Sequence, residues 1–284
     1  MVNNPKWARG SNQYVKRARS GADSRLEPTL NLSQHREETL REYRDTGVTW
    51  ESFNVEQIHH SDVERVRHRF RASLPELIWN TAALEGNNFT LPEVKTLLEG
   101  VTVGGRRLDD AQQVLALSDA YSRLDEIVAA GEFCLTKSVS DELHGLLARH
   151  EAIESGSFRG EGTVTGGGNV RLASGGVVEG MPHGEGGESL RARFDDLASF
   201  LQSVDDPRER ALIYFASVVR RQYYFDGNKR TARLMMTGEL MSSGFDVVSV
   251  PFARKLEFNE ALDVLFERDE ATDLLRFLAT CALD

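Results

Sequence analysis

Apolar residues recur at helical spacing along most of the chain, and one long glycine-rich stretch interrupts them. Val66, Phe70, Leu74, Leu77, Ile78 and Ala82 predict a helix over about 62–84. Pro75 lies inside that run, which predicts a break near Ser73–Leu74. Thr90 before Leu91-Pro92-Glu93 reads as a helix start, with Thr90 as N-cap and Glu93 three residues on; that helix closes near Gly100. Residues 109–130, 136–150, 188–201 and 207–222 carry further amphipathic patterns, the last with Ala211, Tyr214, Phe215, Val218 and Val219 as its stripe. Another helix is predicted from about Arg230 to Ser243, with Leu234, Met235, Leu240 and Met241 as core, and one or two closing helices over 249–284. Upstream, a helical stretch after Asn31-Leu32-Ser33 would place Leu40 and Tyr43 on one face, and 47–53 reads as a connection.

Between 155 and 187 the chain places twelve glycines. A helix does not survive that density, whereas a hairpin with long turns does, and Thr163-Val164-Thr165 and Val177-Val178 are its strand formers. The expected fold is mainly α, with one small β-hairpin. Residues 1–30 read as a weakly patterned arm, for which disorder and docking on the body both stay open.

Composition narrows the setting. The chain has 284 residues, 40% of them hydrophobic, enough for a sizeable core. A net charge of −10 argues against binding nucleic acid through a broad basic field. Two cysteines, Cys134 and Cys281, are too few for a disulfide framework, and neither a secretory leader nor a membrane-spanning run is visible; a cytoplasmic setting is expected. Arg65, Arg67, Arg69 and Arg71 flank the first apolar stripe and read as a solvated border. His59, His60 and His68 lack the spacing of a helical metal pair, and no Walker loop, dinucleotide fingerprint or nucleophile elbow is present.

The chemistry concentrates in Tyr223-Tyr224-Phe225-Asp226-Gly227-Asn228-Lys229-Arg230-Thr231-Ala232-Arg233. A carboxylate, a Gly-Asn turn and three cations stand together at the start of a helix. Gly227 can take a positive φ, so backbone N–H groups of Gly227, Asn228 and Lys229 can form an anion nest at the helix's positive end. Asp226 can hold Mg²⁺, and Arg230 and Arg233, three residues apart, can clamp phosphate oxygens from one helix face.

This run resembles the signature of the Fic (filamentation induced by cAMP) and Doc family, His-x-Phe-x-Asp/Glu-Gly-Asn-Gly/Lys-Arg-x-x-Arg. Asp226, Gly227, Asn228, Lys229, Arg230 and Arg233 match it, Tyr224 takes the Phe place, and Gln222 stands where the family has its histidine. Thr81-Ala82-Ala83-Leu84-Glu85-Gly86 resembles the family's inhibitory pattern, Ser/Thr-x-x-x-Glu-Gly/Asn. The resemblance implies a Fic-like helical bundle over 110–284, with a flap at about 156–180 beside the site. Ahead of it come the arm over 1–30 and a helical region over 31–109 carrying the inhibitory segment 81–86. It implies ATP, or another nucleotide, with Mg²⁺ as cofactor, and a target protein docked at the flap by strand addition. It also implies that Glu85 pairs with Arg233 and keeps the γ-phosphate out. Homo-oligomerisation stays open.

In the family the histidine is the general base for transfer of AMP to a protein hydroxyl. The Gln222 amide neither takes nor releases a proton near neutral pH, and base assistance is typically worth about 10²–10⁴ in rate. Three readings follow: a transferase with impaired or altered catalysis, for which His183 or His144 would be substitute bases; a nucleotide-binding pseudoenzyme or regulatory module; and a hydrolase that removes AMP. Lys229 also resembles Doc proteins, which move a phosphoryl group.

Overall fold

The computed structural model describes residues 39–283, which lie within one compact unit. The arm predicted over 1–30 and the start of the first helical stretch fall outside the described residues. Residues 39–46 are helical, and Leu40 and Tyr43, expected on one face, are both exposed.

The helix α1 (Val63–Leu84) opens on Asp62, whose side chain accepts from the Arg65 N–H at 2.9 Å. It runs through Pro75 without the expected break. A proline inside a helix costs about 3 kcal/mol, through the lost backbone bond and the clash of its ring with the preceding turn. Val66 and Phe70 on one side of Pro75, and Leu77 and Ile78 on the other, are buried at about 1.5–3 kcal/mol each. The continuous buried stripe therefore outweighs the proline. The arginines expected at a solvated border divide: Arg67 is buried and pairs with Asp125 and Glu64, while Arg69 binds Asp246 and Arg71 binds Asp125.

The helix α2 (Leu91–Leu98) is capped as the sequence predicts, with the Thr90 N–H donating to Glu93 Oε2 at 2.8 Å. There follow α3 (Leu108–Ala129), α4 (Lys137–Leu147), α5 (Glu188–Leu201), α6 (Pro207–Arg221), α7 (Asn228–Ser242), α8 (Lys255–Arg268) and α9 (Thr272–Ala279). The centre is the pair α6 and α7. Ala211–Val219 of α6 and nearly every residue of α7 are buried, because α1, α3 and α4 pack against α7 while α5, α8 and α9 pack against α6. Gly238 allows the close fit: a Cβ there would overlap the Phe133 ring.

The glycine-rich stretch holds one antiparallel pair, β1 (Val170–Arg171) and β2 (Val177–Val178), in register Val170 with Val178 and Arg171 with Val177. Thr163–Thr165, expected as a strand, is not one. Glu154 takes the N–H groups of Thr163 and Val164 at 2.7 and 3.1 Å, so two of that segment's donors go to a side chain and not to a ladder. The fold is mainly helical, with this hairpin alone as sheet among the described residues.

Candidate active site

The turn between α6 and α7 is built by its own side chains. Gln222 closes α6 in the left-handed region, with φ 52°. Asn228, the first residue of α7, clasps the loop: its amide donates to the Tyr224 carbonyl and accepts from the Tyr224 N–H, both at 2.8 Å. Gly227, with φ 75°, must be glycine on two counts. The left-handed backbone disfavours a Cβ, and one built there would press on Leu147, Ala148 and His144.

His144 reaches this turn from α4. Its Nδ1 accepts the Gly156 N–H at 2.8 Å, so Nε2 carries the hydrogen and donates to the Asp226 carbonyl at 2.9 Å. Its ring stacks on Tyr224 with centroids 3.7 Å apart. Burial, followed by the neighbouring Arg230 charge, pulls its pKa down to about 4 against the pull of Asp226. With both nitrogens engaged and the ring fully buried, His144 is a strut under Asp226 with no free nitrogen to accept a substrate proton. His183 lies at the end of the glycine-rich stretch, its Nδ1 2.6 Å from the Gly184 carbonyl.

The cations face carboxylates from distant segments, and Arg230 also lies 3.5 Å from Asp226 Oδ1. Arg230 is 3% exposed and meets Glu151 through both terminal nitrogens, at 2.8 and 2.7 Å. Arg233 donates to Glu85 Oε1 at 3.1 Å, and Lys229 lies 3.1 Å from Glu85 Oε2. The Nε and Nη2 of Arg233 are buried without a partner among the described residues. Glu85 follows the last residue of α1, and Gly86 turns the chain away at φ 94°. Burial raises the Glu85 pKa, but Lys229, Arg233 and Arg230 together outweigh it and hold the carboxyl at about 2. Thr81 points elsewhere: its hydroxyl lies 3.1 Å from the buried Tyr121 hydroxyl.

Asp226 stands at the mouth, with a side chain 59% exposed and one oxygen accepting the Gly227 N–H at 2.6 Å. Of the three N–H groups assigned to the nest, that one is already taken. A single open carboxylate suits Mg²⁺, which binds through one or two protein carboxylates plus phosphates and water. Gln222 faces the same space, but its amide is tied at both ends: Nε2 donates to the Val219 carbonyl at 2.6 Å and Oε1 accepts from Asn228 at 3.0 Å.

Glu85, Gln222, Asp226, Lys229 and Arg230 line a cavity of about 240 Å³, whose wall does not include Arg233. A second cavity of about 300 Å³ adjoins it across Glu85 and Lys229, with Leu84, Leu262 and Phe266 as apolar wall. The β1–β2 hairpin borders both through Val170 and Arg171. A larger groove, about 440 Å³, lies along α8 and α9 and touches no motif residue.

Two residues that hold the site together carried little or no signal in the sequence. Arg159 is buried without a carboxylate and spends its guanidinium on backbone: Nε to Gln222 O at 2.8 Å, Nη1 to Gly167 O at 2.9 Å and Nη2 to Met181 O at 2.9 Å. It thereby ties both ends of the glycine-rich hairpin to the residue at the histidine place. The pair Phe158–Arg159 resembles what precedes the family's flap, which was its only mark. Glu151 had none, being an acid in a loop 79 residues from its partner.

A mainly helical domain with a cation-rich helix N-terminus, a hairpin beside it and an opposing glutamate defines the class. Comparison places it further. No family model matches the chain. A protein adenylyltransferase Fic of Drosophila erecta is 28% identical over 255 residues, covering 88% of this chain and 47% of the relative. One from Culex quinquefasciatus is 26% identical over the same length and shares of each chain. Among solved structures, Fic-1 from C. elegans superposes with a TM-score of 0.62 at 22% identity over 90% of this chain and 72% of that one. A Fic-domain signalling protein from Bacteroides thetaiotaomicron gives 0.61 at 22% identity over 86% and 91%. The fold is that of the Fic proteins, and these likenesses together support a Fic family protein. The chain spans about half the length of the curated relatives it matches. No described helix is long and apolar enough to cross a membrane.

Proposed function

We propose that this site binds the phosphate chain of ATP with Mg²⁺, that Glu85 holds it shut, and that the protein is a Fic-type adenylyltransferase whose transfer step is weakened by Gln222. One observation carries the reading. The first two turns of α7 hold Lys229, Arg230 and Arg233, and the first turn has no acid of its own. Cations at a helix N-terminus oppose its dipole, which favours anions there. Apart from Asp226, 3.5 Å from Arg230, the carboxylates that offset them come from remote segments, and Glu85 lines the cavity itself. A phosphate chain competes for the same donors, so Glu85 must leave for it to enter.

Asp226 would hold the cation, which when bound neutralises charge on the phosphates and orients them. The Asn228 clasp fixes the turn, Arg230 and Arg233 supply donors, and the apolar wall of the second cavity suits the nucleoside. In transfer, a target hydroxyl oxygen bonds to the α-phosphorus, the bond to the β-phosphate oxygen breaks, and pyrophosphate leaves. The hydroxyl proton needs a base, and the tied Gln222 amide is none. A target segment would align by adding to an edge of the β1–β2 hairpin. The double tethering of Gln222 also favours a second reading, a nucleotide-binding pseudoenzyme.

Calorimetry with ATP–Mg²⁺ tests the binding claim. Glu85→Gly should bind at least about tenfold more tightly than wild type, a gain of about 1.4 kcal/mol, and Arg233→Ala should abolish it. Absence of binding in every variant would refute the nucleotide reading.

A further inference from the structure

The two carboxylates around the motif arginines are placed differently. Glu85 lines both cavities, so it stands where a ligand would stand. Glu151 lines neither, although Arg230 lines the first. Glu151 therefore meets Arg230 from outside the ligand space. Its two oxygens take Nη1 and Nη2 separately, at 2.8 and 2.7 Å, which fixes the plane of the guanidinium as well as its position.

That pair is itself held. Gln113 on α3 donates from Nε2 to Glu151 Oε1 at 3.1 Å. Its Oε1 accepts from Asn87 Nδ2 at 2.9 Å. Asn87 is anchored in turn, donating to the Asp110 carbonyl at 2.9 Å and capping the Phe89 N–H at 3.0 Å. Asn87 stands two residues after Glu85, on the turn that ends α1. An unbroken line of side-chain hydrogen bonds thus runs from the segment bearing Glu85 to the back of Arg230.

We propose that Glu151 is a positioning residue of the phosphate site, holding the Arg230 guanidinium toward the cavity for a nucleotide's phosphates, with Gln113 and Asn87 fixing Glu151 from the Glu85 segment. The proposal rests on the nucleotide reading. A carboxylate that competes with the ligand strengthens binding when removed, as expected for Glu85. A carboxylate that orients the phosphate donor weakens binding when removed, and weakens it for ligands in proportion to their phosphates.

The test is made in the full chain carrying Glu85→Gly, by calorimetry with ATP–Mg²⁺ and with AMP. Glu151→Gln should lower the ratio of ATP to AMP affinity about tenfold, the size expected when a charge-assisted fork loses its fixed geometry. Gln113→Ala, which keeps the Glu151–Arg230 pair, should lower the ratio less and in the same direction; it carries the test if Glu151→Gln does not fold. A merely structural Glu151 would lower thermal stability and leave the ratio unchanged. An unchanged or increased ratio, with ATP still bound by Glu85→Gly, overturns the proposal alone. Failure of Glu85→Gly to bind ATP–Mg²⁺ overturns the nucleotide reading and the proposal together.

Discussion

Glu85 and His144 sit in the same assembly and respond to acid in different windows. The Glu85 carboxyl, held at about 2 because its three cationic neighbours outweigh its burial, stays ionised through neutral and mildly acid pH. Its contribution to stability is full above about pH 4.5 and is lost as pH falls through about 2. The Glu85 ion pairs are therefore not a pH switch near neutrality. His144 runs the other way in charge. Burial keeps it neutral down to about pH 4, while the unfolded chain protonates near 6.5. Between those values only the unfolded chain binds the proton, so stability falls as pH drops from 6.5 to 4, by up to about 3 kcal/mol. Urea unfolding at pH 7 and pH 5 should show about 2 kcal/mol of that loss in wild type and a smaller one in His144→Gln. Equal losses would contradict the assignment. At this scale the clustering of Asp226, Gly227, Arg230 and Arg233 was legible because they fall within eight consecutive positions of the chain. Glu151 and the role of Arg159 were not, because ion pairs and carbonyl contacts between distant segments leave no periodic trace.

Among the elements, the hairpin depends on fixed points at both ends. Arg159 binds the carbonyls before and after it, and Asp263 on α8 takes the Ala173 and Ser174 N–H groups of its turn at 3.0 and 2.9 Å. Gly168, at φ 81°, leaves the room that Arg159 fills: a Cβ there would lie 2.5 Å from the guanidinium carbon. Arg159 cannot retreat without releasing several carbonyls. Gly168→Ala should cost about 1–3 kcal/mol, read by urea unfolding, and a neutral result would contradict this account of the flap base. Asp263→Ala should speed amide exchange at Ala173 and Ser174 with little change in Tm; unchanged exchange would show that the turn is held otherwise. Glycine density made a hairpin legible here. The pairing strand was not, because Glu154 decides it by capturing the donors of Thr163 and Val164. In α1 the proline rule failed for a related reason: burial on either side of Pro75 exceeded a local cost.

As a whole, the molecule is acidic, at −10, yet its site gathers Lys229, Arg230 and Arg233 within one turn region. Glu85 from the end of α1, Glu151 after α4, the hairpin and the start of α7 meet only in the assembled bundle. Binding there should stabilise the whole fold, because a ligand that binds the folded state alone raises Tm. The bundle's helices were legible from their apolar stripes, since α6 and α7 are buried on nearly every side and the outer helices carry one apolar face each. How the helices surround α6 and α7 was legible only through the family resemblance, since stripes show which faces are buried and not against which partners.

On the proposed reading, Gln222 limits a site otherwise able to place ATP for transfer. The most direct test of that reading is protein labelling from ATP carrying label at the α-phosphate, comparing Glu85→Gly with Glu85→Gly/Gln222→His. A restored base should raise labelling at least about 10²-fold. Equal labelling, or a double variant that binds ATP–Mg²⁺ and labels nothing, would contradict it.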